Sequence, residues 1–178
     1  MRKVIIACAL LLVVLGLSAC TGVMKMNPER LKIDKAYVFT ADIRSGELSA
    51  VADFERVNSS EWQVVLREPF ALEGLVLTYT DGEITAVYDN LRAEMVGDMS
   101  VYGLVIAAFE NAVNGEGREV VSSRDEITVT SKAGTAGVSY TLVLDKSSLE
   151  PKTLEMPAAN LSCGFTEVRV NEVQTVIV

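Results

Sequence analysis

From Tyr37 onward the chain changes between apolar and polar residues at almost every step, in short runs parted by turn residues. Successive side chains of a strand point to opposite faces, so a period of two describes half-buried antiparallel strands. Tyr37–Ile43 is the first such run, with Phe39 and Val38 on opposite faces. After Arg44-Ser45-Gly46, the run Leu48–Val57 puts Ala50, Ala52 and Phe54 on one face and Asp53 and Glu55 on the other. Asn58-Ser59-Ser60 turns the chain into Trp62–Arg67, which gathers Trp62, Val64 and Leu66. Pro69–Gly74 interrupts, Leu75–Thr80 resumes, and Asp81-Gly82 leads into Ile84–Tyr88. Asp-Gly tolerates positive φ at both positions, which makes it the strongest hairpin signal here. A short run, Leu91–Val96, follows.

At Val101 the period changes. Val101, Leu104, Val105, Ala108, Phe109, Ala112 and Val113 form a stripe at helical spacing. Asp98 or Ser100 can cap its start, and Gly115 with Gly117 stops it. This predicts one amphipathic helix of about fourteen residues, roughly 21 Å long. Alternation returns at Glu126–Thr130, Val138–Asp145 and Lys152–Met156, with a final pair of strands from Leu161 to Val178; Ala133–Gly137 and Lys146–Pro151 supply hairpin turns. The expected class is mainly β (α+β): an antiparallel meander of about nine or ten strands, curled because so wide a sheet cannot stay flat. Its apolar face needs a cover, and the single central helix is the one available.

The amino terminus carries a different message. Arg2 and Lys3 precede an unbroken apolar run, Val4–Leu17, too short for a membrane span, which needs roughly twenty residues, but right for a signal-peptide core. An ordinary cleavage site wants a small residue where Leu17 stands. Leu17-Ser18-Ala19-Cys20 instead resembles the lipobox of bacterial lipoproteins, with Cys20 as the residue to be modified. That resemblance implies cleavage before Cys20 and a diacylglyceryl thioether on it, joined by further acylation such as palmitate. Two or more acyl chains anchor a protein stably where one does not. Residues 1–19 are then a leader, 20–35 the lipidated cysteine and a polar tether, and 36–178 one domain, expected at the extracytoplasmic face of the cell membrane.

The net charge of −8 becomes more negative once Arg2 and Lys3 leave. This excludes nucleic acid as a partner, because phosphate backbones need clustered cations. It also argues against attachment to anionic lipid through the domain's own surface. Cys8 leaves with the leader and Cys20 is lipidated, so Cys163 stands without an intrachain partner. It reads as a small buried residue, with an intermolecular bridge as the alternative.

Catalytic signals are sparse. The chain contains no His, the commonest general base and metal ligand. It has no nucleophile elbow, phosphate loop, paired-cysteine motif or calcium loop. Asp53 and Glu55 share a strand face, and carboxylate pairs can hydrolyse glycosides, yet alternating charge is also what a solvated strand face shows. No catalytic residue, cofactor or metal is assigned. Phe39, Phe54, Trp62, Leu77, Leu104, Phe109, Tyr140 and Phe165 are candidates to line a hydrophobic ligand cavity between sheet and helix. They suit an ordinary core equally well, since both demand one apolar pattern.

Three motifs carry a resemblance. Phe39-Thr40-Ala41-Asp42-Ile43 looks like the opening strand of small Firmicutes lipoproteins of the Lol-type (outer-membrane lipoprotein-sorting carrier-like) half-barrel superfamily. Pro69-Phe70-Ala71-Leu72-Glu73-Gly74-Leu75, with Tyr79 and Asp81-Gly82, is similar to a second family segment, and Tyr140–Asp145 with Pro151 and Leu154 to a third. The resemblance covers roughly residues 36–175 and implies a half-barrel closed by a helix over a hydrophobic cavity, without catalysis. Lol carriers have more than one lid helix, and one is expected here. Two functions follow as expectations: binding of a lipid or acyl ligand, or a structural role toward an envelope protein partner, for example in sporulation or germination.

Overall fold

The computed structural model describes residues 23–31, 36–58, 60–96 and 100–171. The leader, Cys20, the alternative cap Asp98 and residues 172–178 lie outside them. The described chain forms one antiparallel sheet of twelve strands and one α-helix. The strands are β1 Met24–Met26, β2 Ala36–Ser45, β3 Leu48–Arg56, β4 Glu61–Glu68, β5 Val76–Thr80, β6 Glu83–Tyr88, β7 Leu91–Val96, β8 Glu119–Ser122, β9 Glu126–Ala133, β10 Val138–Asp145, β11 Pro151–Met156 and β12 Leu161–Asn171. The helix, α1, spans Val101–Asn114 between β7 and β8.

The spatial order is β1-β8-β9-β10-β11-β12-β2-β3-β4-β5-β6-β7. Two meanders, β2–β7 and β8–β11, are therefore joined side by side through β12, which pairs β11 on one side and β2 on the other. The Asp81-Gly82 hairpin forms as expected, with φ of 49° and 91° at the two residues and Thr80 opposite Glu83.

Ser100 caps α1: its Oγ accepts the Gly103 amide at 2.9 Å. Gly115 ends it, the Gly115 N–H donating to the Asn111 carbonyl. A Cβ on Gly115 would lie 2.5 Å from that carbonyl oxygen, so the stop is written into the absence of a side chain. The helix is embedded more widely than the stripe suggests. Gly103 and Ile106 are buried along with Val105, Ala108, Phe109, Ala112 and Val113, whereas Leu104 is only half-buried.

Two expectations are corrected. The stretch expected as a polar tether is partly built into the sheet: β1 pairs with β8, Met24 opposite Ser122 and Met26 opposite Val120, and Leu31 is buried. A three-residue strand and its four-residue partner are too short to show a period, which is why both escaped the pattern. The expected final pair of strands is, as far as the described residues go, one long strand, β12. It continues past an irregularity between Thr166 and Arg169, where a broken alternation imitates a turn.

Candidate functional site

Between the inner face of the sheet and α1, seven of the eight cavity candidates are buried: Phe39, Phe54, Trp62, Leu77, Tyr140 and Phe165 from strands and Phe109 from the helix. The register explains the meeting. Phe39 of β2 faces Phe54 of β3, which faces Val64 of β4, and Phe165 enters from β12 beside Ala41. Phe39 is the hub, its ring centroid 5.4 Å from Phe54, 6.0 Å from Trp62, 5.6 Å from Phe109 and 4.9 Å from Phe165. Tyr37 adds an edge-on contact to Phe109 at 5.1 Å. Aromatic rings at 4.5–7 Å in tilted geometry are in direct contact. The space between helix and sheet at this point is occupied by these side chains themselves.

Polar groups fasten the helix above this cluster. Glu110 of α1 receives a bidentate pair from Arg56 at the end of β3, Nε to Oε1 at 2.6 Å and Nη2 to Oε2 at 3.0 Å. The indole N–H of Trp62 donates to the same Oε1 at 2.8 Å. Arg56 is 3% exposed, so this is an ion pair largely withdrawn from water, where breaking one partner is costly. On the next helix residue, Asn111, Oδ1 accepts from the Tyr140 hydroxyl of β10 at 2.8 Å. Burial pushes the phenols upward, Tyr37 to about 12 and Tyr140 in the same direction.

At the far end of the helix a second arginine has a different task. Arg118 donates Nη1 to the Ala112 carbonyl at 2.7 Å, and Nη2 to the carbonyls of Pro28 at 2.7 Å and Leu31 at 2.9 Å. One guanidinium thus satisfies an open carbonyl of the helix C-terminus and ties the amino-terminal segment to it. Sequence reasoning missed both arginines, because an isolated cation in an alternating run looks like a solvated one.

The outer face is polar. Asp53 accepts from Thr40 Oγ1 at 2.8 Å and from Arg67 Nε at 2.6 Å, and Glu55 is exposed on the same face. They border a cavity of about 230 Å³. Cys163 is buried, its thiol pushed up to about 12 by burial. Among the described residues no group of three or more Cys, Asp or Glu is placed to hold a metal, and no helix is long and apolar enough to cross a membrane.

Phe70 is 86% exposed and Leu91 74%, and Leu72, Val87 and Tyr88 are also exposed. The register gathers them. Val65, Val76 and Val87 lie opposite one another across β4, β5 and β6, and Tyr88 faces Leu91 across the β6–β7 turn. The Pro69–Gly74 connection and the β6–β7 turn therefore leave the sheet at one end of neighbouring strands. Exposed Glu68, Glu73 and Asp89 rim this apolar tip.

No protein-family model and no curated protein matches the sequence. Among solved structures, the fold is similar to a LolA superfamily protein of Nitrosomonas europaea, at 8% identity and a TM-score of 0.45, covering 82% of this chain and 91% of that one. It is also similar to an uncharacterized conserved protein of Thermus thermophilus, at 11% identity and a TM-score of 0.48, covering 82% and 85%. Likeness this distant says nothing about chemistry.

Proposed function

We propose that the protein is a lipid-anchored lipoprotein of the extracytoplasmic face that works by binding an envelope protein partner, and that the apolar tip of β4–β7 makes the contact. The carrying observation is the exposure of Phe70 and Leu91, at 86% and 74%, at one end of neighbouring strands. Clustered exposed apolar residues rimmed by polar ones mark interaction sites. Three carboxylates, Glu68, Glu73 and Asp89, against exposed Arg92 opposite Val87 leave the rim net acidic, which disfavours an anionic bilayer and suits a protein groove bordered by cations. The anchor on Cys20 comes from the lipobox resemblance and sets the location.

The test is crosslinking in intact cells from a photoreactive residue at Phe70. A discrete adduct is expected, and its loss in a Leu91→Ser variant that folds normally would support the tip. Equal crosslinking from Phe70 and from exposed Asp125, in the β8–β9 turn at the opposite strand ends, would defeat the reading.

Binding of a lipid or acyl ligand is the second reading, favoured by one observation. Polar links that include Arg56–Glu110, Trp62–Glu110 and Tyr140–Asn111 hold the helix over an all-apolar cluster, so a helix that lifted would open a hydrophobic slot. Mass spectrometry of the unlipidated domain, purified from bacterial cells without detergent, decides it: co-purifying lipid supports this reading, and its absence removes it.

A further inference from the structure

The amino-terminal strand fixes how the domain stands on its membrane. We infer that the β1 edge rests on the lipid surface, with Val23 and Met24 in the headgroup layer; this depends on lipidation of Cys20 as proposed above. Four peptide steps separate Cys20 from Met24, a reach of at most about 14 Å. A domain of this size is roughly 40 Å across, so the leash is too short for it to turn over. Part of the reach is spent inside the membrane, because the lipidated cysteine sits at the base of a headgroup layer about 5–7 Å deep.

The chain is also held firmly where it enters the fold. β1 is hydrogen-bonded to β8, and Arg118 grips the Pro28 and Leu31 carbonyls. Val23 and Met24, the described residues nearest the anchor, are exposed at 65% and 71%. An apolar pair within about 14 Å of an acyl anchor has the bilayer as its natural cover. Met24 lies at the strand ends that carry the Ser123–Asp125 and Asp81-Gly82 turns, whereas the tip of Phe70 and Leu91 leaves from the opposite strand ends.

The test uses full-length lipidated protein on vesicles of phosphatidylethanolamine and phosphatidylglycerol containing headgroup-spin-labelled lipid. One fluorophore is placed by Lys25→Cys and, in a separate protein, one by Glu47→Cys. Cys163 stays unlabelled, being buried with its thiol pushed up to about 12. Quenching at position 25 is expected to exceed that at position 47 at least three-fold. Adding Val23→Asp and Met24→Asp should lower the position-25 signal by half or more while the protein still floats with the vesicles. Equal quenching of the two probes on protein-bearing vesicles would overturn the inference, as would a position-25 signal indifferent to the aspartates. Protein that does not float would overturn the anchor itself and the inference with it.

Discussion

The helix-covered part of the sheet and the β5–β7 end are written in the same alternating pattern, yet they meet opposite fates. Under α1, every second residue of β2, β3 and β4 is buried, and Phe39, Phe54 and Trp62 are 1%, 0% and 0% exposed. By β6 only Ile84 is fully buried, and in β7 Leu91, Arg92, Ala93 and Glu94 are all exposed. The difference is one of coverage. Twelve strands at about 4.8 Å spacing make a sheet more than 50 Å wide along its curve, and a helix of about 21 Å cannot shield all of it. Alternation states that a strand has two faces; whether the apolar one becomes core depends on what lies above it.

The comparison can be broken first at its covered side. Phe39→Ala removes a ring touching four other aromatic residues and should cost about 3–5 kcal/mol in urea unfolding. Glu110→Ala strips Arg56 of its bidentate carboxylate and the Trp62 indole of its acceptor. A loss of about 3–4 kcal/mol is expected, with Glu110→Gln losing less; equal losses would show that charge is not what matters there. Arg118→Met should cost about 2 kcal/mol and speed amide exchange at Met24–Met26 before the rest of the sheet.

The covered side should also fail selectively in alkali. Cys163 is raised from 9.0 to about 12 and Tyr37 from 10.0 to about 12, so the unfolded chain releases these protons first. Their contribution is complete below about pH 9 and is lost as pH climbs toward 12. The urea midpoint should fall across that window, and a flat midpoint would contradict the burial. The smallest effect belongs to the uncovered end. Phe70→Ser with Leu91→Ser should move stability by no more than about 0.5 kcal/mol while abolishing the proposed partner contact.

The same contrast explains what could be read from residues alone. Strands β2 to β7, the Asp81-Gly82 turn and α1 with its Ser100 cap were legible because each is set by neighbours a few positions away. The aromatic cluster was legible as a list of apolar residues but not as a filled space, since packing depends on elements far apart in the chain. Arg56 and Arg118 were invisible because their partners, Glu110 and the carbonyls of Pro28, Leu31 and Ala112, lie on other elements. The apolar tip was hidden for the converse reason: Phe70, Leu72 and Leu91 look like core residues until nothing is found to cover them.

The place of β12 has a consequence for how the molecule comes into being. A chain made from its amino terminus releases β2–β7 and then α1 with β8–β11 as two partial sheets, each with an edge awaiting a neighbour. Only when residues 161–171 emerge can Leu161 pair with Ser45 and Met156 together, closing contacts more than a hundred positions apart in sequence. Long-range closures of this kind slow folding and leave unpaired edges open meanwhile. The last described strand is thus the keystone, and the continuous sheet forms only once β12 has joined its two halves.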